Sequence, residues 1–568
     1  MKNREIADLF DTIADALEFK GENIFRVNTY RKVARSIREF PEDVEKLAAE
    51  NRLPDIPGVG KGIEKHILEY LTTGRMTNYD EAVAGIPPHL LELLNIPGMG
   101  PKTLSLVHKK LGVQTLQDLE QAISSGKLLG LFGMGDKKIA SIAKGIALFR
   151  EKEGTRRISL GEAIPIVGEV MEFLKPSVKN ISPCGSLRRM KETIGDIDIL
   201  CCGEDGPGII KKFGSFPGTE QVLEQGETKG SIIVRERHLQ VDLRVVGRNS
   251  YGAALQYFTG SKDHNVKLRG MAKESGLKIN EYGVFSGEKS IAGEDEEGVY
   301  RAMGLPWIAP ELREDRGEIE AALKGTLPRL LENRDVRGDL HVHSNYSDGV
   351  DTIEAIVLAA RKYNYSFIGI SDHSPSLRVA RGPGVAQLRK KHQEIDEIQK
   401  KYNDITILKG AEVDILADGT VDYPQDILAS LDYAIGAIHQ SFSKNVTERM
   451  IRAMENPYID IIAHPTGRLI SQRKGYDVDI EEVMNAASHY GVALEINGYF
   501  DRLDLNDVNI LKARKKGIMF ALGTDSHNTG MFRYMQLAVA TARRGWLEKK
   551  QVLNCYNWQR MPLRRRKN

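Results

Sequence analysis

The chain has 568 residues, of which 41% are hydrophobic and 28% charged, and 80 Lys or Arg against 78 Asp or Glu leave a formal charge of +2. That is globular usage for about three to five domains, with no disorder signature and no bulk field for a nucleic acid or a membrane. Four cysteines without a CxxC spacing (Cys184, Cys201, Cys202, Cys555), an acidic amphipathic start and no run of ~18 apolar residues exclude a disulfide scaffold, a cysteine-rich zinc module and a membrane span, so a cytoplasmic protein is expected.

Residues 1–150 read as short amphipathic helices separated by glycine turns. Three turns repeat: IPGVGKG at 56–62, IPGMGPK at 96–102 and LFGMGDK at 131–137. Each is apolar-x-Gly-x-Gly with a lysine close behind and a helical pattern after it. Glycine supplies the positive φ of such a turn, and the amides exposed at the helix start suit a phosphate oxygen without reading a base. Gly58, Gly60, Gly98, Gly100, Gly133 and Gly135 are therefore candidate DNA contacts, with Lys61, Lys102, Lys137 and Lys138 adding charge. Residues 101–150 carry eight Lys or Arg against three Asp or Glu. One copy alone would suit a plain helix–helix turn; three favour a nucleic-acid backbone. Phe132 replaces the proline of the other copies and sets the third apart.

From about residue 157, β-branched runs such as SIIV and QVDLRVV alternate with helices, an α/β or α+β pattern. In CGSLRRMKETIGDIDIL (184–200), Asp196 and Asp198 are two apart, so on a strand they share one face while Ile197 and Ile199 take the other. Asp242 in QVDLRVV is a third acid between apolar neighbours. Such acids are costly unless paired or bound to a cation. Three together suit two Mg²⁺ ions with substrate phosphates completing the shell, and in-line attack on a phosphate. Gly185 and Ser186 offer amides and a hydroxyl to a triphosphate, and Arg188 and Arg189 offer charge. A lone Asp-x-Asp would equally suit a solvated edge strand.

Gly-Ser, nine residues, then Asp-x-Asp resembles the nucleotidyltransferase superfamily. The stretch YFTGSKDHNVKLRGMAKESGLKINEYGVF at 257–285 narrows this, because it resembles DNA polymerase family X, the DNA polymerase beta group. The resemblance covers most of residues 1–315, and the glycine turns resemble helix-hairpin-helix motifs. It implies that Asp196, Asp198 and Asp242 hold the catalytic metals. It also implies that Gly185, Ser186 and Arg189, with Gly195 close by, contact the triphosphate, and that Gly260 lies with the nucleotide. Tyr257 and Phe258 would lie against the incoming sugar, and Asn265 and Arg269 would face the nascent base pair. The lysine of family members that remove a sugar-phosphate remnant is His66 here, with Lys65 adjacent and Gly62 at a second basic position. Imidazole forms no Schiff base, so lyase activity is not expected. Gln240 stands at an often basic position two before Asp242.

The charged stretch at 312–338 reads as a linker. After it, seven apolar strands alternate with helices, the pattern of a β/α barrel. Acids and imidazoles sit at the strand ends: His341 and His343 with Asp348, then His373, Glu412, His439, His464, Asp525 and His527. The C-terminal ends of parallel strands meet at one barrel mouth. Nine N/O donors without cysteine suit two or three Zn²⁺ or Mn²⁺ ions, with Glu412 as a bridge. His392 and His489 read as background. This half resembles the polymerase-and-histidinol-phosphatase (PHP) phosphoesterase domain over residues 337–560, which implies metal-dependent hydrolysis of a phosphodiester or phosphomonoester.

The expected chain is multidomain. It has helix-hairpin-helix domains at 1–80 and 81–150, an α+β nucleotidyltransferase palm at 151–248, a thumb at 249–315, a linker at 316–336 and a distorted seven-stranded β/α barrel (PHP) at 337–568. The expected function is short-gap filling in DNA repair with Mg²⁺, plus a 3′-5′ exonuclease in the barrel. Expected partners are gapped or primer-template DNA, single-stranded 3′ ends and dNTPs, with no membrane, for a monomer. The alternatives are a barrel acting on small phosphate esters, and a DNA-binding scaffold in which neither site turns over.

Overall fold

The structure, a computed structural model, describes residues 2–40, 44–87, 90–96, 98–131, 133–135, 138–143, 145–146 and 157–564. Phe132, Lys137 and the basic tail beyond Arg564 lie outside these residues. The chain forms two compact units, residues 1–156 and 157–568.

The first unit is helical. Helices α1 (Lys2–Lys20) and α2 (Ile24–Glu39) pack through Ile6, Phe10, Ile13, Val33 and Ile37, all fully buried. Asn23 starts α2 by accepting the amide of Phe25, an N-cap that satisfies one orphan donor. Helices α3 (Lys61–Thr73) and α4 (Pro101–Leu111) each begin directly after a glycine, Gly60 and Gly100, and each ends on a left-handed glycine. A second cluster gathers Leu90, Ile96, Met99, Leu104, Val107 and Ile142.

The second unit holds palm, thumb and barrel. The palm is a five-stranded sheet of β1 (Asn180–Pro183), β2 (Ile197–Cys202), β3 (Thr219–Gln225), β4 (Lys229–Val234) and β5 (Leu239–Val246), in the order β1-β2-β5-β4-β3. Only the β2–β5 pair is parallel, and its register sets Asp198 opposite Asp242. Alternation buries Ile197 and Ile199 on one face of β2 and turns Asp198 to the other. Helix α5 (Leu160–Leu174) covers the buried face, started by a capping box between Ser159 and Glu162. The thumb adds α6 (Tyr251–Thr259), α7 (Lys262–Glu274) and a three-stranded antiparallel sheet.

The barrel strands are β6 (Gly338–Asp339), β7 (Phe367–Ile370), β8 (Thr406–Asp414), β9 (Tyr433–Ala437), β10 (Ile461–Ile462), β11 (Ala493–Asn497) and β12 (Phe520–Gly523), parallel and in sequential order. A bridge between Val342 and Ser526 brings the first and last strands together at their C-terminal ends. Leu340, Phe367, Leu408, Tyr433 and Ile461 form one buried cluster, while the larger core lies between strands and helices.

Two features depart from the sequence reading. Residues 316–336 join thumb to barrel but are no exposed linker: Glu318, Ile319 and Leu331 are buried, and Glu318–Leu323 is helical. Its acidic residues are spent on local structure, since Glu318 accepts the amides of Asp315 and Arg316 and sits 2.7 Å from Nδ1 of His264. In addition, palm and barrel share a core, in which Leu160, Ile166 and Val170 cluster with Leu503, Met531 and Leu537. Among the described residues, no helix is long and apolar enough to cross a membrane.

Candidate active sites

The first site is an open cleft of about 450 Å³ between palm and thumb, lined by Gly185, Ser186, Arg189, Asp196, Asp198, Tyr257, Phe258, Gly260, Asn265 and Arg269, among others. Asp196 and Asp198 line the cleft, and Asp242, outside the lining, stands opposite Asp198 on the neighbouring strand. Burial and the charges of Asp196 and Asp242 push the Asp198 acid up to about 7. Gly185 has φ +58°, and a Cβ there would lie 2.3 Å from Oδ2 of Asp198, so only glycine lets the turn reach this carboxylate. Asp242 is held by Gln240, whose Nε2 donates to both of its oxygens at 3.0 and 3.2 Å, and by the hydroxyl of Ser231. Gln240, at a position often basic in the family that this part of the chain resembles, thus holds this carboxylate by its amide. Tyr257 and Phe258 meet edge-to-face at 5.2 Å.

Arg188, Gly195 and Asn265 each have a distinct place. Arg188 does not face the cleft: its guanidinium is bound by Glu296 at 2.7 and 3.0 Å and donates to Thr259, an ion pair that locks palm to thumb. Gly195 stands outside the cleft lining, and a side chain there would come within 3.0 Å of Arg157, which does line it. Asn265 lines the cleft, but its amide donates to the carbonyl of Tyr257 and accepts from Gln256, so it fixes the aromatic pair. Lys191 and Lys262 also line the cleft and went unread in the sequence.

The second site is the barrel mouth, where five of the expected histidines surround Glu412 and the other three expected donors, Asp348, Asp525 and His527, join through those histidines. The two oxygens of Glu412 lie 3.3 Å from His341, 3.5 Å from His343, 2.9 Å from His373, 3.3 Å from His439 and 3.1 Å from His464. Asp525 is 3.3 Å from His343, and Asp348 is 3.3 Å from His527 and 3.6 Å from His373. Burial opposes the charge of Glu412, yet His341, His439 and His373 hold it well below the usual carboxylate range. Burial, His527 and His373 press His343 down to about 4. His439 rises to about 10, because Glu412 and Asp414 outweigh its burial. The His343 ring stacks between His373 and His527, both at 4.4 Å. His464 and Asp525 sit at positive φ, +27° and +53°, a backbone state retained where surrounding structure over-determines it.

The glycine turns repeat one geometry. Val59, Met99 and Met134 donate their amides to Ile56, Ile96 and Leu131, and bury their side chains. Gly58, Gly98 and Gly133 take positive φ and are exposed; Gly60 and Gly135 are exposed as well, and Gly100 is half-buried.

Four family models match the chain: a helix-hairpin-helix domain over residues 1–76, a SAM-like helix-hairpin-helix tandem over 90–147, the DNA polymerase beta thumb over 254–314, and the PHP domain over 339–498. The chain is 37% identical over 564 residues to the DNA polymerase/3′-5′ exonuclease PolX of Bacillus subtilis (strain 168), covering 98% of this chain and 97% of that protein. The chain belongs to the family X DNA polymerases that carry a C-terminal PHP domain. It is also 27% identical over 349 residues to DNA polymerase lambda of Arabidopsis thaliana, covering 55% of this chain and 62% of that one. A "Probable phosphatase" of Thermoanaerobacter sp. (strain X514) is 30% identical over 231 residues, 38% of this chain and 89% of that protein.

The barrel site of this family X polymerase fits divalent cations. In the barrel, His341 Nε2, both ring nitrogens of His343, Asp348 Oδ1 and Glu412 Oε2 are buried without a hydrogen-bond partner. A buried polar atom so left costs about 1–3 kcal/mol, and an ion removes that cost. Among the described residues, three groups could hold a metal: His343, Asp348, His373 and His527; His341, His343 and Glu412; and His373, Glu412 and His439. In the palm the raised Asp198 marks mutually repelling carboxylates that a cation would relieve.

Carboxylates unread in the sequence orient these donors. Glu495 on β11 lies 2.6 Å from Nδ1 of His341, which leaves Nε2 for the site, and accepts the amide of His464 at 2.8 Å. Asp414 does the same for His439 at 2.6 Å. Asp372 accepts from the backbone and hydroxyl of Ser344 and from Ser347, fixing the loop between His343 and Asp348. Arg502, 3.3 Å from Asp525, brings a guanidinium into the same site. Glu495 is an acid between apolar strand residues, the signal that singled out Asp242.

Proposed function

We propose that the palm cleft extends DNA primers from dNTPs and that the barrel removes nucleotides from DNA 3′ ends, the pairing used in short-gap repair. The carrying observation is the presence of two separate donor clusters in one chain: Asp196 and Asp198 in an arginine-bearing cleft, with Asp242 opposite Asp198 on the next strand, and an imidazole–carboxylate ring around Glu412.

In the palm, Ser186 and Arg189 would hold the triphosphate, Tyr257 and Phe258 would bound the sugar, and Arg269 would face the base pair. Asp196, Asp198 and Asp242 would hold Mg²⁺, which when bound supplies charge neutralisation at the attacking and leaving oxygens. In the barrel, the nine donors would hold two or three Mn²⁺ or Zn²⁺ ions, with Glu412 between them. Glu495 and Asp414 keep the imidazoles in the tautomers the site needs, and Arg502 can meet a phosphate oxygen. The glycine turns would hold the DNA backbone. A soluble monomer in the cytoplasm is the setting this reading implies.

A barrel acting on small phosphate esters is the second reading, favoured by the likeness to the phosphatase. The test presents a labelled single-stranded oligonucleotide and a phosphomonoester to the protein with Mn²⁺. The proposal expects nucleotide removal from the 3′ end, lost in His341→Ala/His343→Ala. Ester hydrolysis with an untouched oligonucleotide would select the second reading.

A further inference from the structure

Arg189 faces the nucleotide cleft but is anchored from behind by an acid and a cation of other domains. Its Nε donates to Glu314 at 3.0 Å and its Nη1 donates to the carbonyl of Thr259 at 2.6 Å. That leaves three of its five N–H groups for a ligand. Glu314 also accepts from Arg544 at 3.0 Å, and Arg544 donates to the backbone carbonyl of Arg189 itself at 2.6 Å. The other nitrogen of Arg544 reaches Asp507 at 2.6 Å, which takes Arg316 at 2.9 Å. The Arg544 side chain is 4% exposed and that of Glu314 10%. Burial works against the charge of Glu314, yet Arg189 and Arg544 hold it below its usual range.

Arg544 is the last residue of α8 (Met535–Arg544), a barrel helix that follows the ligands Asp525 and His527 within a short turn. A helix rooted at one site therefore ends against the backbone of Arg189 at the other and against the carboxylate that holds the Arg189 side chain. Without Arg544, Glu314 would keep Arg189 and, at 3.9 Å, Lys191 as its cations. A carboxylate so placed competes with a triphosphate for the guanidinium and repels the incoming anion.

We propose that Arg544 is a positioning residue for the polymerase site: it fixes Arg189 and neutralises Glu314, so the barrel sets the dNTP affinity of the palm. This rests on the reading of Arg189 as a triphosphate ligand.

The experiment measures single-nucleotide incorporation on a primer–template, with full-length protein and Mg²⁺, for Arg544→Gln, Arg544→Lys, Arg544→Gln/Glu314→Gln and Arg189→Ala. Degradation of a single-stranded primer reports the barrel in parallel. Arg544→Gln should raise the dNTP KM roughly tenfold with kcat changed less than about twofold. Arg544→Lys should fall between, and adding Glu314→Gln should recover most of the KM while primer degradation stays at the wild-type rate. An unchanged KM in Arg544→Gln beside a raised KM in Arg189→Ala overturns the proposal. So does a joint loss of incorporation and degradation that Glu314→Gln does not relieve, because Arg544 then only supports the fold. An unchanged KM in Arg189→Ala strikes the underlying reading instead.

Discussion

Asp198 shows how a single side chain carries both chemistry and cost. Its acid ordinarily titrates near 4, and burial beside Asp196 and Asp242 lifts it to about 7 in the fold. A folded pKa above the unfolded one means that the folded state binds the proton more tightly, so stability is lost as pH rises from about 4 toward 7. Three pH units of that kind correspond to a few kcal/mol, on the order of 1.4 kcal/mol per unit. In metal-free protein at pH 8, Asp198→Asn should therefore raise the melting temperature by roughly 2–5 °C. Added Mg²⁺ should shrink that difference by stabilising the wild type alone. A lower melting temperature for the variant without metal would mean the three carboxylates do not repel. At Tyr257, the side chain lines the cleft with its backbone pinned by Asn265. Tyr257→Ala should raise ribonucleotide incorporation relative to deoxyribonucleotide, read as the ratio of kcat/KM values; an unchanged ratio removes the tyrosine from sugar selection.

Elements explain what the sequence exposed and what it hid. The strand β2 was legible because Ile197 and Ile199 must be buried, which leaves Asp196 and Asp198 no face but the other. The barrel donors were legible for a similar reason: polar residues that end apolar strands gather at one mouth. Arg188 and Arg189 are adjacent and alike in residue type, and the fold separates them by giving Arg188 to Glu296 and Arg189 to Glu314. The stretch at 316–336 read as a linker because it is charged and poor in apolar residues, but Glu318 is buried by partners that local pattern does not reveal. Glu495 showed the same pattern as Asp242, an acid between apolar strand residues, but its partner His341 lies 154 residues away. The turns preceding α3 and α4 carry their own test. Each places an exposed glycine and a lysine close to a helix start, where the first amides lack a partner within the helix. Replacing Lys61 and Lys102 by alanine should weaken DNA binding alike for all sequences. It should also lower the slope of log affinity against log salt by about 0.9 for each duplex phosphate that the protein no longer neutralises. A sequence-dependent loss, or an unchanged slope, would take these turns off the phosphate backbone.

For the whole molecule, palm, thumb and barrel form one unit with a shared apolar core and an ion-pair network through Arg544, Glu314 and Asp507. None of this coupling could be read from sequence, since Arg189 and Arg544 are 355 residues apart. Two chemistries in one body remain separable if each depends on its own donors. Extension and degradation of one 5′-labelled primer on a template, followed together in Asp196→Ala/Asp198→Ala and in His341→Ala/His343→Ala, measure this separation. The first variant should only shorten the primer, and the second should only lengthen it. A single variant abolishing both, or the carboxylate variant still extending, would mean that the two sites are not independent centres.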